Sequence, residues 1–158
     1  MPTTSKPKQS RPRSSIAARC TARCIVQRAV AAAPAAALLR RFALAAVPAG
    51  SAVALRVVSS AEGRLLNRMF RKRDYATNVL SFAYGGGHGD VVLCHPVIAR
   101  EARQQGKSLR AHYAHLVVHG ILHLRGHHHL RKSDAARMER AELRILRRLG
   151  FGDPYELE

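Results

Sequence analysis

A chain of 158 residues with 47% hydrophobic content is long enough for one domain that buries a core without disulfide staples. Its 27 Lys and Arg against 10 Asp and Glu give a net charge of +17 and a pI ≈ 11.4, a field that excludes basic partners and attracts polyanions, nucleic acid first and an anionic membrane surface second. Cys20, Cys24 and Cys94 make no disulfide framework and read as thiols of a reducing compartment, and the longest mostly apolar run without a charge, Phe42 to Leu55, falls short of the ~20 residues of a membrane span.

Residues 1–18 are basic and rich in Pro and Ser, with too little apolar content to offset the entropy of ordering, so they are expected to form a disordered tail. No acidic residue precedes Glu62. That start fits an organelle transit peptide, an RNA-contacting tail or an upstream start codon equally well. Residues 19–158 are expected to form a single domain. Cys24 to Val30 reads as a first strand. Pro34 to Ala46 reads as a helix with Pro34 in its first turn, ended by Pro48 and Gly50. Ala52 to Val58 has the composition of a buried strand. Ala61 to Phe70 predicts a short helix, with Leu65, Leu66 and Met69 spaced for one face, and Arg71 to Asp74 a charged loop. Asn78 to Tyr84 and Gly89 to Cys94 predict two strands of an antiparallel hairpin around Gly85 to His88. His95-Pro96 opens a helix to about Gln105, closed by Gly106. Ser108 caps a central helix to about Leu124, and Ser133 or Asp134 a last helix to Leu149, followed by Gly150.

All 9 histidines lie between His88 and His129. His119 and His123 are four apart, which in a helix sets both imidazoles on one face. Gly126 lets the chain turn, because glycine takes positive φ freely, and His129 can then fold back as a third ligand. Three neutral imidazoles with one open coordination position are the arrangement of a catalytic zinc ion. Two other registers compete. His115 and His119 share the same spacing, and His127 and His128 are alternatives to His129. Gly126, three residues after His123, favours His119, His123 and His129. A loosely binding His-rich tract is the duller reading. The stretch matches the H-E-x-x-H-x-x-G-x-x-H pattern of metzincin proteases except after the first His, where Gly120 stands in place of the general base.

The chain resembles the YbeY family of metal-dependent endoribonucleases, the rRNA maturation factors. The resembling residues are Leu66-Asn67, Phe70-Arg71, Asp74, Thr77 to Phe82, Gly89 to Val92, the His119–His129 stretch, Met138-Glu139, Glu142, Ile145-Leu146, Leu149-Gly150 and Asp153 to Tyr155. The resemblance as a whole covers Ala52 to Tyr155, about two-thirds of the chain. The resemblance implies an α+β fold, a small mixed β-sheet flanked by helices, whose central helix carries the His pair. It also implies one zinc ion on His119, His123 and His129, with Arg71 in the same cleft. The implied activity is cleavage of single-stranded RNA in ribosomal RNA processing, at the 3′ end of the small-subunit rRNA, and in ribosome quality control. The implied partners are ribosomal RNA and the small ribosomal subunit, with no membrane, and the implied place is the cytoplasm, or a mitochondrion or plastid if the N-terminus is a transit peptide. Three features depart from the family's pattern. His128 stands where Asp usually precedes the third His, Ala83 replaces a Pro after Phe82, and the Gly85–His88 loop is short.

Zinc chemistry suits such a reaction, since the ion makes a nucleophile available near neutral pH and polarises a phosphoryl oxygen. In-line displacement at phosphorus gathers negative charge on oxygen, which a fixed guanidinium stabilises, so Arg71 is the candidate. Its plainer role is an ion pair with Asp74. The rivals are a metallopeptidase, disfavoured by Gly120 and the basic charge, and a non-catalytic ribosome-binding factor. In the second rival the metal is structural and closed by a fourth ligand such as His127 or His128.

Overall fold

The computed structural model describes residues 21–127 and 130–156. The expected tail, residues 1–18, lies outside them, as do His128 and His129. Four strands and five helices follow in the order β1 (Arg23–Arg28), α1 (Ala36–Leu44), β2 (Ala52–Val58), α2 (Ser60–Arg71), β3 (Val79–Gly85), β4 (His88–Cys94), α3 (His95–Gln104), α4 (Leu109–Leu124) and α5 (Lys132–Arg148). The fold is α+β. Its sheet has the order β1-β2-β4-β3 and is mixed: β1 and β4 each run parallel to β2, while β3 pairs antiparallel with β4.

The period of two along β2 and β4 divides the core between the two faces of the sheet. Val53, Leu55, Val57, Val91 and Leu93 join residues of α1, α4 and α5 on one face. Val58, Val92 and Cys94 join Leu80 of β3, Val97 of α3 and Leu66 of α2 on the other. Both central strands are therefore covered twice, which explains their nearly continuous apolar sequence. Helix α4 is buried on most of its circumference, from His112 and Tyr113 to Leu122 and Leu124. Ser108 caps it, its side chain accepting from the Ala111 N–H at 3.1 Å.

Two helix starts differ from expectation. Ala35 takes an extended ψ of 143°, so α1 begins at Ala36 and leaves Pro34 outside. The carbonyl of Arg131 accepts from the N–H groups of Asp134 and Ala135, so Arg131 is the N-cap of α5 without a side-chain capping bond. Ser133 and Asp134 fall inside the first turn, where the Asp134 carboxylate faces the positive end of the helix dipole.

Two contacts of α4 position the site. A Cβ placed on Gly120 would lie 2.7 Å from Cγ1 of Val91 and 3.2 Å from both Cγ2 of Val79 and Oγ of Ser81. Glycine at 120 thus lets α4 settle directly on β3 and β4, and Ser81 Oγ donates to the Gly120 carbonyl at 2.9 Å. At the helix end Gly126 takes φ 87° and the His127 N–H reaches back to the Leu122 carbonyl at 3.1 Å. This is a Schellman stop, and it turns the chain sharply just beyond His123.

Candidate metal centre

Helix α4 carries His119 and His123 on one side, as their spacing requires, and their Nε2 atoms lie 3.1 Å apart. Two ligands of a tetrahedral ion with bonds of ~2.0–2.1 Å stand about 3.3 Å apart, so the pair is close to chelating separation. The other nitrogen of His119, Nδ1, is bonded to Oε1 of Glu142. A carboxylate there accepts the Nδ1 proton and leaves a lone pair on Nε2, the tautomer that a metal ligand needs. The donor set and the tautomer both fit a metal ion.

Glu142 is fully buried on α5. Tyr155 donates its hydroxyl to the second carboxylate oxygen, Oε2. Nε2 of His115 lies 3.4 Å from the same oxygen, yet it makes no aligned hydrogen bond, so it acts as a nearby dipole. Burial pushes the Glu142 carboxyl upward, but the contacts with His115, His119 and Tyr155 more than offset this and hold it down to about 2. The carboxylate in turn pushes the Tyr155 hydroxyl well up, together with burial, which is the larger cause.

His115, His119 and Glu142 also form a group whose ligand atoms lie within 4.8 Å of one another and which can hold a metal ion. That group and the His119–His123 pair compete for His119. In the first, the Nδ1 and carboxylate oxygens that would bind the ion are already bonded to each other or to Tyr155. In the second, the two Nε2 atoms are in contact with each other at 3.1 Å, a contact that an ion held between them would replace. The second leaves the bonds of Glu142 to His119 and Tyr155 intact, with the carboxylate behind His119 as an orienting group.

Arg71, at the end of α2, shares a cleft of about 710 Å³ with His119 and His123. Its Nη2 donates to the Ser81 carbonyl at 3.2 Å. Asp74 is engaged by Arg64 instead, at 2.9 and 2.8 Å to its two oxygens, so the plainer role considered for Arg71 falls to Arg64. One wall of the cleft is β3, the edge strand of the sheet. Cys94 N–H donates to the Asn78 carbonyl. By the alternation of an antiparallel ladder, the backbone groups of Ser81 and Ala83 then face away from β4, toward the open edge. None of the described residues lining the cleft carries a carboxylate.

The structure therefore brings Arg71, His119 and His123 together, while His129 lies outside the described residues. The contribution of Glu142 and Tyr155 had no assigned role in the sequence reading, though both belong to the matched C-terminal motif. A signal was present. Glu142 falls four residues after Met138 and three before Ile145, on the buried line of α5, and a carboxylate at a core position of a helix calls for a partner. A second polar cluster braces the cleft. Glu101 accepts from Asn78 Nδ2 at 3.2 and 3.1 Å and contacts Nε2 of His112 at 2.8 Å, which ties the start of β3 to α3 and α4.

The family described as Endoribonuclease YbeY has a sequence model that matches residues 22–150. An endoribonuclease YbeY of Aromatoleum aromaticum is 51% identical over 138 residues, covering 82% of this chain and 90% of the relative. One of Bordetella pertussis is 55% identical over 112 residues, covering 68% and 71%. The solution structure of a Thermotoga maritima protein superposes with a TM-score of 0.57 at 20% identity, over 84% of this chain and 99% of that one, and supports the fold. This chain belongs to the YbeY endoribonuclease family.

Proposed function

We propose that the chain is a single-strand-specific endoribonuclease that acts on ribosomal RNA, at the 3′ end of the small-subunit rRNA, with one zinc ion on His119, His123 and His129. The observation that carries this reading is the 3.1 Å approach of His119 Nε2 and His123 Nε2 at the cleft that also holds Arg71, with a buried carboxylate behind His119. Held by these histidines, zinc would supply Lewis-acid activation of the nucleophile and of a phosphoryl oxygen. The protein's own groups do the rest. Glu142 holds the proton of His119 on Nδ1. Arg71, pinned to the rim by the Ser81 carbonyl, presents its remaining N–H groups to a phosphate and to the charge that grows on it. The absence of a carboxylate among the described residues lining the cleft and the net charge of +17 favour a polyanion. The small ribosomal subunit is the proposed partner and the cytoplasm the proposed location.

The test is incubation of the zinc-loaded chain with single-stranded and duplex RNA, beside His123→Ala. Cleavage of single-stranded RNA that is lost in His123→Ala is expected. Equal cleavage by both proteins would overturn the site, and no cleavage by either would favour the non-catalytic reading.

A further inference from the structure

Four of the eight Phe and Tyr rings are accounted for by the core or the site, and two exposed ones, Tyr75 and Tyr84, have their hydroxyls bonded to Arg73 and Asp90. Phe42 packs edge-on against Phe151 at 5.6 Å, Tyr113 is fully buried and Tyr155 serves Glu142. Phe70 is different. It sits in the last turn of α2 with 57% of its surface exposed, next in sequence to Arg71. Phe82 of β3 supports it edge-on, with ring centres 5.1 Å apart and planes at 70°. The exposed part of the ring gains nothing from folding, and that apolar surface is left available to an occupant.

Its surroundings point to an occupant. Along β3, Ser81 and Phe82 face opposite sides of the sheet. Ser81 faces α4 and the cleft, while Phe82 packs with the α2 side. Arg71 reaches the outer edge of the same strand through the Ser81 carbonyl. The last turn of α2 therefore sets a guanidinium and an exposed ring side by side across one strand edge. Arg68, Lys72 and Arg73 stand within three residues of Phe70 in sequence and add positive charge to this end of α2.

We propose that Phe70, backed by Phe82, is a stacking platform for one unpaired nucleobase of an RNA strand whose neighbouring phosphate lies at Arg71. The inference rests on the endoribonuclease reading and adds a base-binding subsite to it. Stacking tolerates any base, because every base offers a π face. It also demands a base free of its duplex partner, since bases inside an A-form helix are already stacked and paired. The platform thus supplies a physical reason for selecting single strands.

The test uses the full chain, with a chelator present so that the RNA stays intact. Affinity for a single-stranded oligonucleotide is read by fluorescence anisotropy, for the wild type and for Phe70→Ala, Phe70→Leu and Phe70→Trp. Because the ring is largely exposed, all four proteins should melt alike. Phe70→Ala and Phe70→Leu should weaken binding by about 5- to 150-fold, the usual range for one stacked base, and Phe70→Trp should keep it. A single abasic nucleotide is then moved along the RNA. At one position it should cost the wild type as much as Phe70→Ala does, and cost Phe70→Ala nothing further. Unchanged binding in Phe70→Ala, with the wild type still binding and cleaving RNA, would overturn the platform and leave the nuclease reading standing. Failure of the wild type to bind any RNA would bring down both. A loss in Phe70→Ala that is the same with every abasic RNA would show a general packing effect and refute a subsite. Self-association in sedimentation that disappears in Phe70→Ala while RNA affinity holds would give this face to a second copy of the chain instead.

Discussion

Replacing Glu142 by Gln removes one charge and almost no volume, and the bonds around it predict the effect on a metal held by His119. Both carboxylate oxygens of Glu142 accept, one from His119 Nδ1 and one from the Tyr155 hydroxyl. An amide offers one acceptor oxygen and one NH₂ donor. One of the two donors must then meet another donor in a fully buried place. If it is His119, the imidazole moves its proton from Nδ1 to Nε2, the atom that faces His123, and the lone pair a metal needs is gone. Orienting partners of metal ligands are typically worth 10–100-fold in affinity, about 1.4–2.7 kcal/mol. Glu142→Gln should therefore bind zinc about 10- to 100-fold more weakly, in a competition titration against a chelating indicator. Glu139→Gln, which removes an exposed carboxylate from the same helix without touching a hydrogen bond of His119, should weaken zinc binding far less. Equal affinity in a folded Glu142→Gln would refute the argument. So would X-ray absorption that showed a nitrogen ligand shell losing a carboxylate oxygen, because Glu142 would then be a ligand itself.

Tyr155→Phe leaves Glu142 with one fewer donor and should lower zinc affinity in the same assay, by less than Glu142→Gln does. Arg71→Ala should cut the RNA cleavage rate by about 10²–10³ while weakening RNA binding only modestly, and Arg71→Lys should remain impaired because it lacks the planar fork. Zinc content should be unchanged in both, and full activity in Arg71→Ala would remove Arg71 from the site. The depressed Glu142 carboxyl predicts an acid limb in the stability of the metal-free chain. Its contribution is complete above the ordinary value near 4.5 and is lost as pH falls toward about 2. Denaturant unfolding of Glu142→Gln should show a flatter dependence over that window.

The elements were legible because local signals agreed with tertiary ones. β2 was read to the residue, Ala52 to Val58, from its apolar and β-branched run, and the β3–β4 hairpin from glycines between two such runs. Helix starts were less legible. Pro34 and Ser133 are good start signals, but backbone geometry at Ala35 and Arg131 decided the boundaries. The His119–His123 face followed from spacing alone. What supports it did not, because Glu142 lies on another helix and Tyr155 on the C-terminal segment, and only folding brings Glu142 within a hydrogen bond of His119 and Tyr155 within one of Glu142. The partner of Asp74 was also beyond local reading. Arg64 and Arg71 both lie on α2 near that loop, and the left-handed Lys72 that ends the helix decides how the chain leaves it.

Gly120 carries a consequence for the kind of bond that can be cut. In a metalloprotease the residue after the first ligating His is the general base. Here that position belongs to the seam between α4 and the sheet, where a first side-chain carbon already meets Val91 at 2.7 Å and crowds Val79 and Ser81. A longer side chain would be driven into the sheet rather than toward the histidine pair. Glycine is thus required by packing, and its presence is no record of a lost base. The described lining of the cleft carries no carboxylate to take that role, Glu101 and Glu139 lining instead an adjoining pocket that shares Asn78, Val79 and His119, and the alkoxide that leaves from a phosphodiester is one that Lewis-acid and guanidinium charge can stabilise. Gly120→Glu is the decisive variant. Overpacking at this seam should cost about 1–3 kcal/mol or more and lower the melting temperature by several degrees, and zinc-loaded Gly120→Glu should hydrolyse no peptide. Peptide hydrolysis by that variant, with the melting temperature unchanged, would show that position 120 faces the metal and would reopen the peptidase reading.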